Sequence, residues 1–157
     1  MLPVLKFFSA LALALWLGGM IFFATSIAPV AFSVLPTREM AGNVVNGVMR
    51  NLHFLAFGAG SVLLVTFALR AMLGHVRLMP VKALLALVML GIALYSQFGV
   101  SAPLAEMRRE IGSIDRLAPE DPMRVRFGDM HRLSVALMGV NILLAVAVLA
   151  LEQVPEA

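Results

Sequence analysis

A long apolar run opens the chain, extending from about Val4 to Leu35 with Lys6 as its only charged residue. About 20 apolar residues in a helix cross the roughly 30 Å hydrocarbon core of a bilayer. A secretory signal peptide has an apolar segment of only about 7–15 residues, so we predict a retained membrane helix. Three further apolar runs follow. Lipid offers no partners to backbone polar groups, and the runs are continuous rather than alternating, so we predict helices and not a barrel.

The composition also indicates a protein that lives in a lipid bilayer. Only 13% of the residues are charged, whereas soluble domains carry about 25%. The chain has no cysteine, which excludes disulfides, thiolate metal sites and cysteine nucleophiles. The twelve Lys and Arg residues are scattered, so no basic stripe indicates a nucleic-acid partner. A homo-oligomer stays open.

The fold class that we predict is an all-α integral membrane protein with a single domain over residues 1–157. It is a bundle of four transmembrane helices, made of two helix hairpins. The helices are expected at about residues 4–35, 38–73, 81–111 and 122–151. Because these lengths exceed what a bilayer needs, we expect helical extensions on one side of the membrane. Thr37 and the Asp121-Pro122 step are N-terminal signals for the second and fourth helices.

A weak internal repeat relates the two halves of the chain. Ala28-Pro29 and Ala102-Pro103 lie 74 residues apart, and His53 and His131 lie 78 residues apart. The repeat predicts that the two hairpins run in the same direction through the membrane and are related by a rotation axis along the membrane normal. Proline removes a backbone donor and clashes with the preceding turn, so we also expect a kink at Pro29.

Two histidines are the residues of greatest functional interest. His53 and His131 each share a helical face with small, polar and Met residues, so we predict that both point into the bundle. A polar residue in a membrane helix is costly and is a functional candidate for that reason. The third histidine, His75, falls in a predicted loop and is expected to be solvated. The polar residues that we expect to complete a pocket are Asn46, Gln97, Ser101, Ser134 and Asn141.

Several kinds of site remain open at this stage. The first is a small-ligand or interaction site, lined by His53 and His131, in a non-enzymatic bundle. The second is a b-type haem with these two histidines as axial ligands. The third is a copper site formed by His53, His131, Met49 and Met130, because thioethers suit Cu(I). A histidine that merely bonds to a nearby amide or hydroxyl is the structural alternative. No catalytic constellation is visible, which disfavours an enzyme.

The stretch WLGGMIFF, Trp16 to Phe23, resembles the start of the transmembrane protein 205-like family of bacterial membrane domains of unknown function. Looser similarity extends to copper-resistance D-type membrane proteins and, distantly, to haem-binding four-helix membrane proteins of the protoporphyrinogen oxidase J type. The resemblance implies a small helical bundle in a bacterial inner membrane, sometimes with haem or copper. The chain lacks the fuller set of histidines of a haem-dependent oxidase. Other residues that carry the resemblance are Ala28-Pro29, Leu35-Pro36, Leu52-His53, His131-Arg132-Leu133-Ser134 and Asn141.

Overall fold

Four long helices form the protein, whose computed structural model describes residues 1–74, 77–112 and 114–154. Each helix is long and apolar enough to cross a membrane, and the described residues contain no β-strand. The prediction of an all-α, four-helix membrane protein is therefore confirmed. His75 lies outside the described residues. The helices are α1 (Leu2–Val34), α2 (Arg38–Met72), α3 (Met79–Ile111) and α4 (Pro122–Glu152), and a short 3₁₀ turn, Ile114–Arg116, precedes α4.

Local sequence signals set several of the helix ends. The Thr37 side chain accepts a hydrogen bond from the Met40 backbone N–H at 3.2 Å, which caps α2. Asp121 accepts from the Met123 backbone N–H at 2.8 Å, and proline follows at the first position of α4. Gly112 ends α3 with a φ of +72°, a conformation that side chains with a Cβ rarely adopt.

Both α1 and α3 contain a π-helical segment directly before an Ala-Pro step. Phe23–Ile27 precedes Ala28 in α1, and Ser96–Ser101 precedes Ala102 in α3. Proline has no N–H to donate, and its ring clashes with the carbonyl of the preceding turn. A π turn contains one extra residue, which relieves this clash and lets the helix continue. A π segment thus lies directly before Pro29, where a kink is predicted, and a second one lies directly before Pro103 in the other half of the chain.

The helices form a ring in which each packs against its neighbours along the chain, and α1 also contacts α4. Short connections make successive helices antiparallel. Small buried residues such as Ala56, Ala86 and Ala145 let the helices approach closely. Large apolar side chains such as Phe22 and Leu143 are exposed, as expected for surfaces that face lipid. The largest fully buried apolar side chains are Leu13, Trp16, Leu63, Phe67, Met89, Val100 and Val148.

A buried ionic network joins all four helices at the end of the bundle where the chain begins. Arg70 of α2 donates to Glu152 of α4 at 2.8 Å, and Lys82 of α3 lies 2.9 Å from the same carboxylate. Ser9 of α1 accepts from Arg70 at 3.3 Å and donates to Thr66 at 2.8 Å. This network was not predicted from the sequence, because its members lie far apart along the chain.

The ionic network and Arg108 lie at opposite ends of the apolar part of the bundle. Both Lys82 and Arg108 belong to α3, and the helix between these positions is about 39 Å long at 1.5 Å per residue. A bilayer has a hydrocarbon core of about 30 Å and measures about 40–45 Å with its headgroups. When the apolar part of the bundle is centred in the bilayer, the ionic network lies at the level of one headgroup region and Arg108 at the level of the other.

Candidate functional site

A cleft among the four helices lies at the Arg108 end of the bundle. Its inner part, the apolar lobe, has a volume of about 370 Å³, which is within the range of small-molecule sites. The polar side chains at this depth are Asn46, Ser101 and Ser134. The wall is otherwise mostly apolar and includes Phe23, Phe32, Val45, Leu104, Val135 and Met138.

The outer part of the cleft, the cationic lobe, has a volume of about 290 Å³. Its described lining includes Arg38, Arg108 and Arg124, with Glu39 as the single carboxylate among the described residues of the lobe. Phe32, Arg108 and His131 line both lobes. The cleft therefore places a positive surface directly beside an apolar one.

The Arg108 side chain stands where the two lobes meet. Its guanidinium carbon lies 5.1 Å from the centroid of the Phe127 ring, which is within cation–π range. Its Nη1 atom is buried and makes no hydrogen bond to the described residues. Gly42 leaves the room for it, because a Cβ at position 42 would lie 2.2 Å from Nη1. A guanidinium with an unused donor suits the recognition of carboxylate or phosphate.

His53 lies deeper, beside a separate chamber of about 20 Å³, which has room for about one water molecule. The ring is buried, and its Nδ1 donates to Gln97 Oε1 at 2.8 Å, since an amide oxygen can only accept. Asn141 also lines the chamber. Its Nδ2 donates to the Met89 carbonyl at 3.3 Å, and its buried Oδ1 has no hydrogen bond to the described residues.

The two histidines occupy different surroundings. His53 is buried, whereas His131 is exposed and lies at the junction of the two lobes. The reason is that α4 faces an open cleft at this level and not a packed core. Met49 and Ser134 line both the chamber and the apolar lobe. Met130 is not among the residues that line the chamber or either lobe.

The arrangement does not fit a haem held between His53 and His131. Two axial ligands must approach one iron, yet these histidines line different cavities, and the chamber beside His53 has space for about one water molecule. No single cavity is lined by all four sequence-predicted copper ligands, because Met49 lines one cavity with His53 and another with His131, and Met130 lines neither. Among the described residues, no group of three or more His, Asp or Glu side chains could hold a metal ion.

Arg108 is the main site residue that was missed from the sequence. In the sequence Arg108 lies in a charged stretch with Glu106, Arg109 and Glu110, which is typical of an exposed helical surface. In the structure Glu106 pairs with Arg109 on the exposed side of α3. The spacing in the sequence could have indicated this position of Arg108. Ser101, Leu104 and Arg108 follow one another at intervals of three and four residues and so share a helical face.

The fold and the cleft define a four-helix membrane protein with an amphipathic cavity at one end of its bundle. Residues 11–113 match the model of a family described as a domain of unknown function, DUF4149, and the chain belongs to this family. The matched region includes His53 and Arg108. No curated protein and no solved structure matches the chain significantly. The finer resemblance to the transmembrane protein 205-like and copper-resistance D-type families finds no support in these comparisons.

Proposed function

We propose that this protein is a non-enzymatic membrane protein that binds an amphipathic anion. The apolar part of the ligand fills the apolar lobe, and its charged group binds Arg108, with His131 close by. The observation that carries this proposal is the position of Arg108, whose buried Nη1 has no hydrogen bond to the described residues and lies between an apolar and a cationic surface.

The charged group should contribute more to binding than the apolar part does. Moving an apolar chain from lipid or detergent into the apolar lobe gains little, because both environments are equally apolar. A hydrogen bond to a charged group contributes about 1.5–3 kcal/mol, and Arg108 can offer two such bonds to a planar or tetrahedral anion. Selectivity for anions over neutral analogues follows from this difference.

The histidines have unequal roles in this proposal. His131 lines both lobes and is available to the anion. His53 bonds to Gln97 across the interface between α2 and α3, which supports the packing of the bundle and not the ligand. Haem and copper have less support, because no single cavity is lined by all of their predicted ligands.

The test is binding of dodecyl phosphate to the protein in a non-ionic detergent, followed by native mass spectrometry, with dodecanol as the uncharged analogue. We expect the phosphate to bind and the alcohol not to. Arg108→Gln should weaken binding by about 10- to 150-fold, which corresponds to the loss of one charged hydrogen bond of about 1.5–3 kcal/mol.

The matched control for this experiment is Arg109→Gln. Arg109 is the next residue on the same helix, pairs with Glu106 on the exposed surface and does not line the cleft. Its replacement removes the same charge and should leave dodecyl phosphate binding unchanged. Equal affinities of the two variants, or equal binding of the phosphate and the alcohol, would exclude Arg108 as the anion ligand and remove the proposal.

Gly42→Ala should weaken anion binding without unfolding the protein. The new Cβ would overlap Arg108 Nη1, and the guanidinium can move away because it is the end of a flexible side chain. Gly47→Ala on the same helix is the control, since nothing lies within 4 Å of a Cβ there. Dodecyl phosphate affinity and the thermal unfolding midpoint are measured for both variants. If Gly42→Ala binds as well as Gly47→Ala, then the position of Arg108 does not control binding.

A further inference from the structure

We infer that the amphipathic anion is an anionic phospholipid, which enters the cleft sideways from the bilayer between α1 and α4. Its phosphate binds Arg108, and an acyl chain occupies the apolar lobe. The inference rests on the proposed function and specifies the ligand class of the same site.

The depth of the two lobes matches the structure of a lipid. Arg108 lies about 39 Å along α3 from the ionic network, at the level of a headgroup region. The apolar lobe continues from His131 to Met138 on α4, which is about 10 Å towards the bilayer centre. The cationic lobe therefore lies where lipid phosphates are, and the apolar lobe lies where acyl chains begin.

The cleft has a lateral opening that faces the bilayer. The Leu2–Phe22 part of α1 packs against α4, whereas the Ala28–Val34 part packs chiefly against α2. The π segment Phe23–Ile27 lies where this change occurs. At this level, exposed Ala24 of the π segment and exposed Val135 of α4 both line the apolar lobe. A chain that enters between them stays in an apolar environment throughout.

A water-soluble anion fits only half of this cleft. It would reach the cationic lobe, but it would leave the apolar lobe without a matching group. An anionic phospholipid presents a phosphate and a hydrocarbon chain in the order and at the depth in which the two lobes occur. Arg108 and Arg124, which are among the described residues that line the cationic lobe, also favour an anionic lipid over a zwitterionic one.

The experiment uses the full chain in nanodiscs of phosphatidylcholine that contain a trace of phosphatidylglycerol spin-labelled on its acyl chain. Electron paramagnetic resonance measures the immobilised fraction, with chain-labelled phosphatidylcholine as the reference lipid. We expect a several-fold larger immobilised fraction for phosphatidylglycerol. Arg108→Gln should reduce it to the phosphatidylcholine level, and inorganic phosphate should not displace the lipid.

A second pair of variants tests the lateral opening. Ala24→Trp places a large ring in the apolar lobe and should abolish the excess immobilisation. Ala14→Trp, at an exposed position on the same helix outside the cleft, should leave it unchanged. Equal effects of the two tryptophans would contradict entry between α1 and α4. Thermal unfolding midpoints establish that both variants are folded.

The outcomes separate this inference from the proposed function. If dodecyl phosphate binds in detergent while phosphatidylglycerol is no more immobilised than phosphatidylcholine, the lipid inference is overturned and the proposed function stands. Displacement of the labelled lipid by inorganic phosphate overturns the lipid inference in the same way, since it identifies a soluble anion as the ligand. Failure of both dodecyl phosphate and phosphatidylglycerol to bind overturns both.

Discussion

Glu152→Gln is expected to destabilise the bundle by about 3–5 kcal/mol, because it removes the negative charge of a buried ion pair from beside two buried cations. The side chains of Arg70 and Lys82 are 0% and 1% exposed, and both contact the Glu152 carboxylate. Glutamine keeps the shape of the side chain, so the effect isolates its charge. The measurement is the thermal unfolding midpoint of the detergent-solubilised protein, followed by the fluorescence of its single tryptophan.

Asp129→Asn is the control for this prediction. Asp129 also lies on α4 and also pairs with an arginine, but the side chains of Asp129 and Arg132 are 58% and 78% exposed. Exposed pairs contribute about 0–1 kcal/mol, so this variant should unfold close to the wild-type midpoint. If Glu152→Gln lowers the midpoint no further than Asp129→Asn does, then the ionic network does not hold the helix ends together.

Trp16→Ala is expected to destabilise the protein by about 3–5 kcal/mol, the usual effect of truncating a large buried aromatic side chain. Trp16 is 1% exposed and packs against Gly60 of α2, where a Cβ would lie 3.2 Å from the indole ring. Because the helices are surrounded by lipid, the stability lost in this variant comes from lost van der Waals contacts between helices and not from the hydrophobic effect of excluding water. Circular dichroism measures the unfolding midpoint, since the variant has no tryptophan.

Leu15→Ala is the matched control on α1. Leu15 is adjacent to Trp16 but is exposed on the lipid-facing surface, so its truncation leaves no cavity between helices. We expect a much smaller fall in the unfolding midpoint than for Trp16→Ala. Similar midpoints for the two variants would mean that Trp16 contributes no more to helix packing than a lipid-facing residue does.

The features of the fold that the sequence predicted depend on local signals. Four continuous apolar runs predicted four membrane helices, and Thr37 and Asp121 cap two of them by hydrogen bonds to residues two or three positions further on. Ala28-Pro29 marked the irregular turn in α1. Each of these signals lies within one or two helical turns of the structure that it specifies.

The features that the sequence did not predict depend on how the helices pack. Arg70 and Glu152 lie 82 residues apart, and nothing local to either indicates the other. The exposure of His131 depends on where α1 separates from α4, which no helical pattern within α4 records. The place of Arg108 in the cleft depends on the room that Gly42 of a different helix leaves for its guanidinium.

The π segments have a geometric consequence for the side chains that follow them. One extra residue in a helix rotates every later side chain by about 100° around the axis, since a regular helix has 3.6 residues per turn. In α3 the segment Ser96–Ser101 provides this rotation. Lys82 and Met89, before the segment, pack inside the ring, and Leu104 and Arg108, after it, line the cleft. In a regular helix Arg108 would point about 80° away from Lys82 around the axis, so the π segment keeps one continuous helix facing the inside of the bundle at both membrane surfaces.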